Sequence, residues 1–140
     1  MYSPIIIEKT ETTPEIILDK ENNVFHIKGR SIIENAHEFY LPIYNWIKNY
    51  ILYPNPKTEF YLDIYYLNSS STLQLMKLFF LFEDLKKTGN EIKVVWLYER
   101  DDEMSQERGD ELRNAVELDF ELCSYEGKFE EFAEDFSFDI

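Results

Sequence analysis

The sequence predicts an α/β fold, a small mixed sheet with helices packed against it. Three observations carry this. Strand-like apolar alternation and the 3.6-residue spacing of helices take turns along the chain. The 140 residues are one domain's length, and 44% apolar and 16% aromatic content is enough to fill a core. The stretch from Glu59 to Tyr98 reads strand, helix, strand, which predicts two parallel strands and a right-handed crossover.

Taken in order, Ile5–Ile7 and Ile16–Leu18 are short apolar runs around Thr10–Pro14 and read as short strands. Val24–Lys28 alternates and reads as a strand, with Asn22, Asn23 and Gly29 supplying the turns. Ser31 with Glu34 three residues on matches a capping box, so a helix is expected to open there. Its apolar positions run Ile32, Ile33, Ala36, Phe39, Tyr40, Ile43, Trp46, Ile47, Tyr50 and Ile51. Pro42 inside it removes the hydrogen bond to the Glu38 carbonyl and predicts a kink, and Pro54 and Pro56 end it.

Glu59–Leu67 carries aromatic and β-branched residues on both faces and predicts a strand covered on both sides or nearly so. After Asn68–Thr72 a second helix runs from Leu73 to Lys87 and stops before Gly89. Its polar stripe, Gln74, Lys77, Asp84 and Thr88, is thin, so the helix is either buried over most of its circumference or leaves apolar surface for a partner. Ile92–Tyr98 reads as a buried strand and Glu99–Glu103 as an acidic loop. Met104–Leu118 reads as a helix with Leu112, Ala115 and Val116 inward and Gly109 as a weak point. Phe120 and Leu122 suggest a last strand. Tyr125–Ile140, with Phe129, Phe132 and Phe136, reads as an acidic amphipathic tail beyond a domain of residues 1–124.

Charge narrows the partners. Residues 1–100 hold eleven basic and thirteen acidic side chains, whereas residues 101–140 hold three and fifteen. A surface this acidic repels phosphate backbones and anionic lipid, so neither nucleic acid nor membrane is expected, and a protein with a basic face is. No apolar run nears the roughly 20 residues of a membrane span. The N-terminus lacks the basic and apolar regions of a secretory signal, and a cytoplasmic protein is expected.

Little here reads as catalytic. One cysteine, Cys123, and two separated histidines, His26 and His37, build neither a disulfide nor a metal cluster. Asp101 and Asp102 read as a solvated loop rather than an acid–base pair. No glycine-rich phosphate cradle or nucleophile elbow occurs, and no cofactor or metal is implied. The informative stretch is Asn68, Ser69, Ser70, Ser71 and Thr72. It joins a strand to the first turn of a helix, where backbone N–H groups are free and the dipole is positive. A phosphate there would be stabilised. Ser and Asn are also ordinary N-cap and turn residues, and the spacing alone leaves both readings open.

A resemblance adds to this. Thr13-Pro14, Gly29-Arg30-Ser31-Ile32-Ile33-Glu34-Asn35-Ala36, Tyr40-Leu41-Pro42-Ile43 with Trp46, and Leu62-Asp63-Ile64-Tyr65-Tyr66-Leu67-Asn68-Ser69-Ser70-Ser71 resemble the SiaC family of bacterial regulatory phosphoproteins. Val95-Trp96-Leu97-Tyr98 followed by Asp101-Asp102-Glu103 is similar to that family's W-x-Y and acidic segment. The resemblance spans residues 4–124 and implies a STAS-like fold, as in anti-sigma-factor antagonists. It implies a non-catalytic phosphoprotein in a partner switch. A GHKL-type serine/threonine kinase and a PP2C-type phosphatase would set its state, and its unphosphorylated form would bind and activate a diguanylate cyclase or another output protein, in cyclic di-GMP and biofilm control. The phosphoacceptor falls on Ser69, with Ser70 second, and residues Asn68 to Thr72 form the partner surface. The alternatives are a constitutive docking domain without a switch, an anti-sigma-factor antagonist, and a small carboxylate hydrolase.

Overall fold

The reversal after residue 19 is set by asparagine. Asn22 N–H bonds Asp19 Oδ1 at 3.2 Å, and Asn23 takes a positive φ of 56°, a left-handed conformation that asparagine tolerates better than most residues. In the computed structural model, residues 3–126 are described. They form the strands β1 (Ile5–Ile7), β2 (Glu15–Asp19), β3 (Val24–Ser31), β4 (Lys57–Leu67), β5 (Glu91–Glu99) and β6 (Asp119–Tyr125). The helices are α1 (Ala36–Tyr50), α2 (Ser69–Lys87) and α3 (Glu103–Ala115).

The sheet runs β1-β2-β3-β4-β5-β6, its spatial order being its chain order. β1, β2 and β3 pair antiparallel, and β3 to β6 pair parallel. The mixed α/β class and the parallel pairing of β4 with β5 are therefore as the sequence predicts. Each crossover steps the same way across the sheet. Right-handed crossovers that all step one way place their helices on one face. The burial pattern agrees. Phe25, Ile27, Phe60, Leu62, Ile64, Val94, Trp96 and Phe120 share the helical face and are buried. On the other face Tyr61 is exposed, and His26 and Lys93 are partly so. The expectation of a β4 covered on both sides is corrected. Tyr61 stands exposed on the open face, its hydroxyl on Glu59 at 3.0 Å, while Phe60, Leu62 and Ile64 fill the core.

Rings from helix and sheet interlock in that core. Trp46 stacks on Tyr50 at 5.5 Å, Phe25 meets Tyr50 at 5.1 Å, Phe60 meets Phe82 at 4.8 Å, and Phe79 meets Phe120 edge-on at 5.7 Å. Such pairs contribute about 0.5–1.5 kcal/mol each beyond the area they bury.

Several boundaries differ from the reading above. Gly29 is not a turn residue. It lies within β3 at φ +130°, where the register against β4 shifts, and a Cβ there would sit 3.3 Å from the Pro14 Cα. β3 therefore continues to Ser31, and α1 starts at Ala36. Its N-cap, Asn35, makes no side-chain cap bond, so Ser31 and Glu34 form no capping box. Pro42 is tolerated because it and Glu38 are both exposed, and water reaches the carbonyl left without its helical donor. α2 opens at Ser69 rather than Leu73, and its Gln74 is buried instead of belonging to a polar stripe. α3 ends at Ala115, which is exposed, while Leu112 and Val116 do point inward. Tyr125 belongs to β6. Glu126 pairs with Arg100 at 2.7 Å, and residues 127–140 of the expected tail lie outside the described residues.

Gly109 proves to be a point of close approach. A Cβ at this position would lie 2.4 Å from Cδ1 of the fully buried Trp96 ring. Gly109→Ala should gain about 1 kcal/mol of helix propensity yet lose more than that to overpacking, typically about 1–3 kcal/mol. A urea midpoint below wild type is expected. A midpoint at or above it would show that the ring has room to move.

Candidate functional site

Parallel pairing sets the carboxyl ends of β3 and β4 side by side, with Ser31 opposite Leu67. The segments that follow, Ile32–Asn35 and Asn68–Thr72, are thereby brought together. These are the ends of the two longest motifs in the sequence. They are stitched by hydrogen bonds that leave few polar groups of the junction idle. Asn68 N–H donates to the Ser31 carbonyl at 3.1 Å, and Asn68 Nδ2 to the Ile33 carbonyl at 3.1 Å. The Ser70 hydroxyl reaches the Glu34 carbonyl at 3.3 Å.

Asn68 is also the N-cap of α2. Its backbone is extended (φ −91°, ψ 174°), its Oδ1 accepts from Ser71 N–H at 2.9 Å, and its carbonyl takes the first helical bond, from Thr72 N–H at 2.9 Å. The amides of Ser69 and Ser70 occupy the orphan donor positions of a helix start. No acidic side chain sits in this first turn to compensate the dipole.

The four hydroxyls differ in what they do. Ser71 is fully buried and accepts from the Ser31 hydroxyl at 2.8 Å. Thr72 Oγ1 bonds the Asn68 carbonyl at 2.9 Å, and Ser70 is held to Glu34. Ser69 is exposed and makes no side-chain hydrogen bond among the described residues. From Ser69 the outward face of α2 continues through Leu73 and Phe80, 59% and 50% exposed, with Lys77 and Asp84 between and beyond them. The sequence shows the apolar excess of this helix. It does not show which apolar residues remain outside, since that follows from which face meets the sheet.

Beneath the junction lies a buried chain of hydroxyls that the sequence reading missed. Ser31 donates to Ser71, which leaves the Tyr40 phenol to donate to Ser31, at 2.7 Å. Ser31 and Ser71 are forty residues apart, so no local pattern reports their contact. The only signal was that both belong to the two quoted motifs. Desolvation by burial pushes the Tyr40 phenol up to about 12. α3 reaches the junction as well, through Arg108 Nη1 on the Leu67 carbonyl at 2.8 Å.

The remaining candidates have structural settings. Asp102 is the N-cap of α3 and accepts from Ser105 N–H at 3.0 Å, while Asp101 is exposed. His26 pairs with Glu15 at 2.9 Å on the open face, and His37 is exposed. Burial, and then its contact with Glu121, raise the Cys123 thiol above its ordinary value, which keeps it protonated and unreactive. Among the described residues no three His, Cys, Asp or Glu are gathered to hold a metal, and no helix is long and apolar enough to cross a membrane.

The buried phenol gives a pH signature. Unfolded, it ionises near its ordinary value of 10.0, and folded near 12. The unfolded state therefore sheds its proton first, and stability is lost as pH rises from 10 towards 12. Between pH 9 and 11 the wild type should lose about 1.4 kcal/mol more than Tyr40→Phe, as read from urea midpoints. Parallel decline of the two proteins would show that Tyr40 titrates as in the unfolded chain.

Comparison with known proteins places this geometry. The profile of the SiaC family regulatory phosphoproteins matches residues 7–125. An uncharacterized protein of Pseudomonas aeruginosa strain UCBPP-PA14 is 26% identical over 124 residues, covering 89% of this chain and 98% of its own length. Among solved structures, apo-SiaC of Pseudomonas aeruginosa superposes with a TM-score of 0.81 at 25% identity, covering 88% of this chain and all of that one. SiaC bound to the diguanylate cyclase SiaD, whose activator it is, gives a TM-score of 0.81 at 26% identity, over 86% and 99% of the two chains. The chain belongs to the SiaC family of regulatory phosphoproteins.

Proposed function

We propose that this chain is a non-catalytic partner switch controlled by phosphorylation of Ser69. The observation that carries the reading is the position of Ser69. It is the exposed hydroxyl among four at the start of α2, and it heads an outward stripe with Leu73 and Phe80. Ser70 is the second choice, being half-buried and tied to Glu34. The unphosphorylated protein docks through residues Asn68 to Thr72 and the adjoining face of α2. Its target is a diguanylate cyclase or an equivalent output protein, and the SiaC–SiaD complex of the relative supports that choice. A GHKL-type kinase and a PP2C-type phosphatase set the state of Ser69, all in the cytoplasm. The protein itself turns nothing over.

A phosphate adds about −1.5 to −2 charge at pH 7. At the centre of a dry interface its desolvation is only partly offset by the helix N–H groups. Ser69→Ala should therefore escape labelling by the cognate kinase and bind the output protein constitutively. Ser69→Asp should bind at least about tenfold more weakly, a cost near 1.4 kcal/mol. Phosphopeptide mapping and titration calorimetry check both, with circular dichroism as the folding control. Equal affinity of the phosphorylated and unmodified proteins would leave the reading of a constitutive docking domain.

The stripe is tested separately. Leu73→Lys places a charge at an exposed position, so stability should change by no more than about 0.5 kcal/mol. Output binding should fall by about tenfold or more if Leu73 is a buried anchor of the complex. Unchanged affinity would move the docking surface off α2.

A further inference from the structure

The sheet divides at its carboxyl end. β3 and β4 stay paired as far as Ser31 and Leu67, and β5 and β6 as far as Glu99 and Tyr125. Between these pairs, the ladder of β4 with β5 stops at Leu62 and Trp96. Beyond that point the two inner strands part, and a cavity of about 470 Å³ opens between them, closed along one side by the first turns of α3. That volume lies in the range of small-ligand and side-chain pockets. Carboxyl ends of parallel strands are also where open α/β sheets hold ligands.

The lining states a chemistry. Asp63, Glu99 and Asp102 contribute three carboxylates and Tyr98 contributes ring surface, while the Tyr66 ring already carries the Arg30 guanidinium at 5.6 Å. Each carboxylate makes a hydrogen bond within the protein, to Tyr125 OH, Asp101 N–H and Ser105 N–H respectively, and an ionised carboxylate has capacity for more. The one cation of the lining, Arg108, is committed to the Leu67 carbonyl at 2.8 Å. Its contact also shows that the parted strand edge accepts a guanidinium. Ser105 adds a buried hydroxyl with no partner among the described residues. Three carboxylates against one engaged guanidinium disfavour an anion. Planar donors with a delocalised positive charge match carboxylates, carbonyls and ring faces together.

We infer that this crevice is a receptor for a guanidinium group, and that its source is an arginine side chain of the protein docked at the neighbouring junction. Two features argue for that source. The crevice rim at Leu67 adjoins Asn68 and Ser69 directly in the chain, so a partner seated on the junction covers its mouth. The excess of acid in residues 101–126 also selects a basic face. The choice of source rests on docking at the junction. The chemistry of the crevice does not, and the test separates the two.

The full chain, labelled with ¹⁵N, is titrated with N-acetyl-arginine amide and followed by amide shifts. Saturable shifts confined to Asp63–Leu67, Tyr98–Glu99 and Asp102–Ser105 are expected. The neutral isostere N-acetyl-citrulline amide should bind at least about tenfold more weakly, as should the blocked arginine to Asp63→Asn. Glu99→Gln provides a second variant should Asp63→Asn disturb the fold. No saturable shift, or equal response to citrulline, overturns the receptor. n-Propylguanidinium, a monocationic free guanidinium without peptide groups, binding about tenfold more tightly than the blocked arginine would overturn the side-chain source. None of these outcomes depends on phosphorylation of Ser69 or on an output protein.

Discussion

The parallel ladder between β3 and β4 is the contact on which the junction at the carboxyl end of the sheet depends. It brings two segments that are more than thirty residues apart in sequence to one place, at the carboxyl ends of adjacent strands. Once Ser31 stands opposite Leu67, the loop into α1 and the first turn of α2 share their hydrogen bonds, and neither is complete alone. The buried triplet of Tyr40, Ser31 and Ser71 fixes how deeply that turn sits. Buried hydroxyls left without partners cost about 1–3 kcal/mol each, so the three act together or not at all. Their satisfaction is what makes the position of the exposed Ser69 definite.

The order of elements was legible because it rests on local periodicity. The strand-to-helix junction at Asn68–Thr72 was legible too, but not the helix start, which the apolar pattern puts at Leu73 and which lies at Ser69 with Asn68 as its cap. The failures share a cause, which is that a local pattern was read where a long-range contact decides. Ser31 and Glu34 fit a capping box by type and spacing, yet Ser31 hydrogen-bonds forty residues away and stays in its strand. Gly29 looked like a turn signal, but what it meets is Pro14 from the neighbouring segment. Gly109 looked like a flaw in a helix and instead admits the Trp96 ring. The aromatic residues on both sides of β4 suggested two covered faces. Three crossovers stepping one way leave only one, a property of topology that no single strand reports. The parted strands at the carboxyl end are of the same kind, for where a ladder stops is decided by twist and by what packs beside it.

Magnitudes separate the effect of a charge on this fold from its effect on a complex. A dianion at the first turn of α2 would meet a favourable dipole, worth about 0.3–1 kcal/mol at an exposed helix end. The position is in water, so the folded state loses nothing by desolvation. The same group pressed into an interface loses its water, at a cost of several kcal/mol when it is not fully paired. The sign of the effect therefore depends on whether a partner is present. Ser71 could not serve this purpose. A phosphate on its fully buried oxygen would have to displace Ser31 and unfold the junction to be accommodated. Exposure at the first helical residue, beside a hydroxyl network that needs no change, would let a modification there act on binding while the sheet beneath it stays untouched.

The junction and the crevice meet at Leu67. It is the last residue of β4 and lines the crevice, and the next residue caps α2. Arg108 holds the Leu67 carbonyl from α3. A guanidinium bond to a carbonyl in a half-buried setting contributes about 1.5–3 kcal/mol, comparable to the differences that decide binding. Any partner that fills the crevice must leave this bond in place or replace it, and in either case it bears on the strand end that positions Asn68 and Ser69. If both are recognition surfaces, they follow one another along the chain from the end of β4 into the start of α2 and cannot be occupied independently. A partner that uses both gains specificity from their fixed separation, since the chain between them has no freedom to adjust.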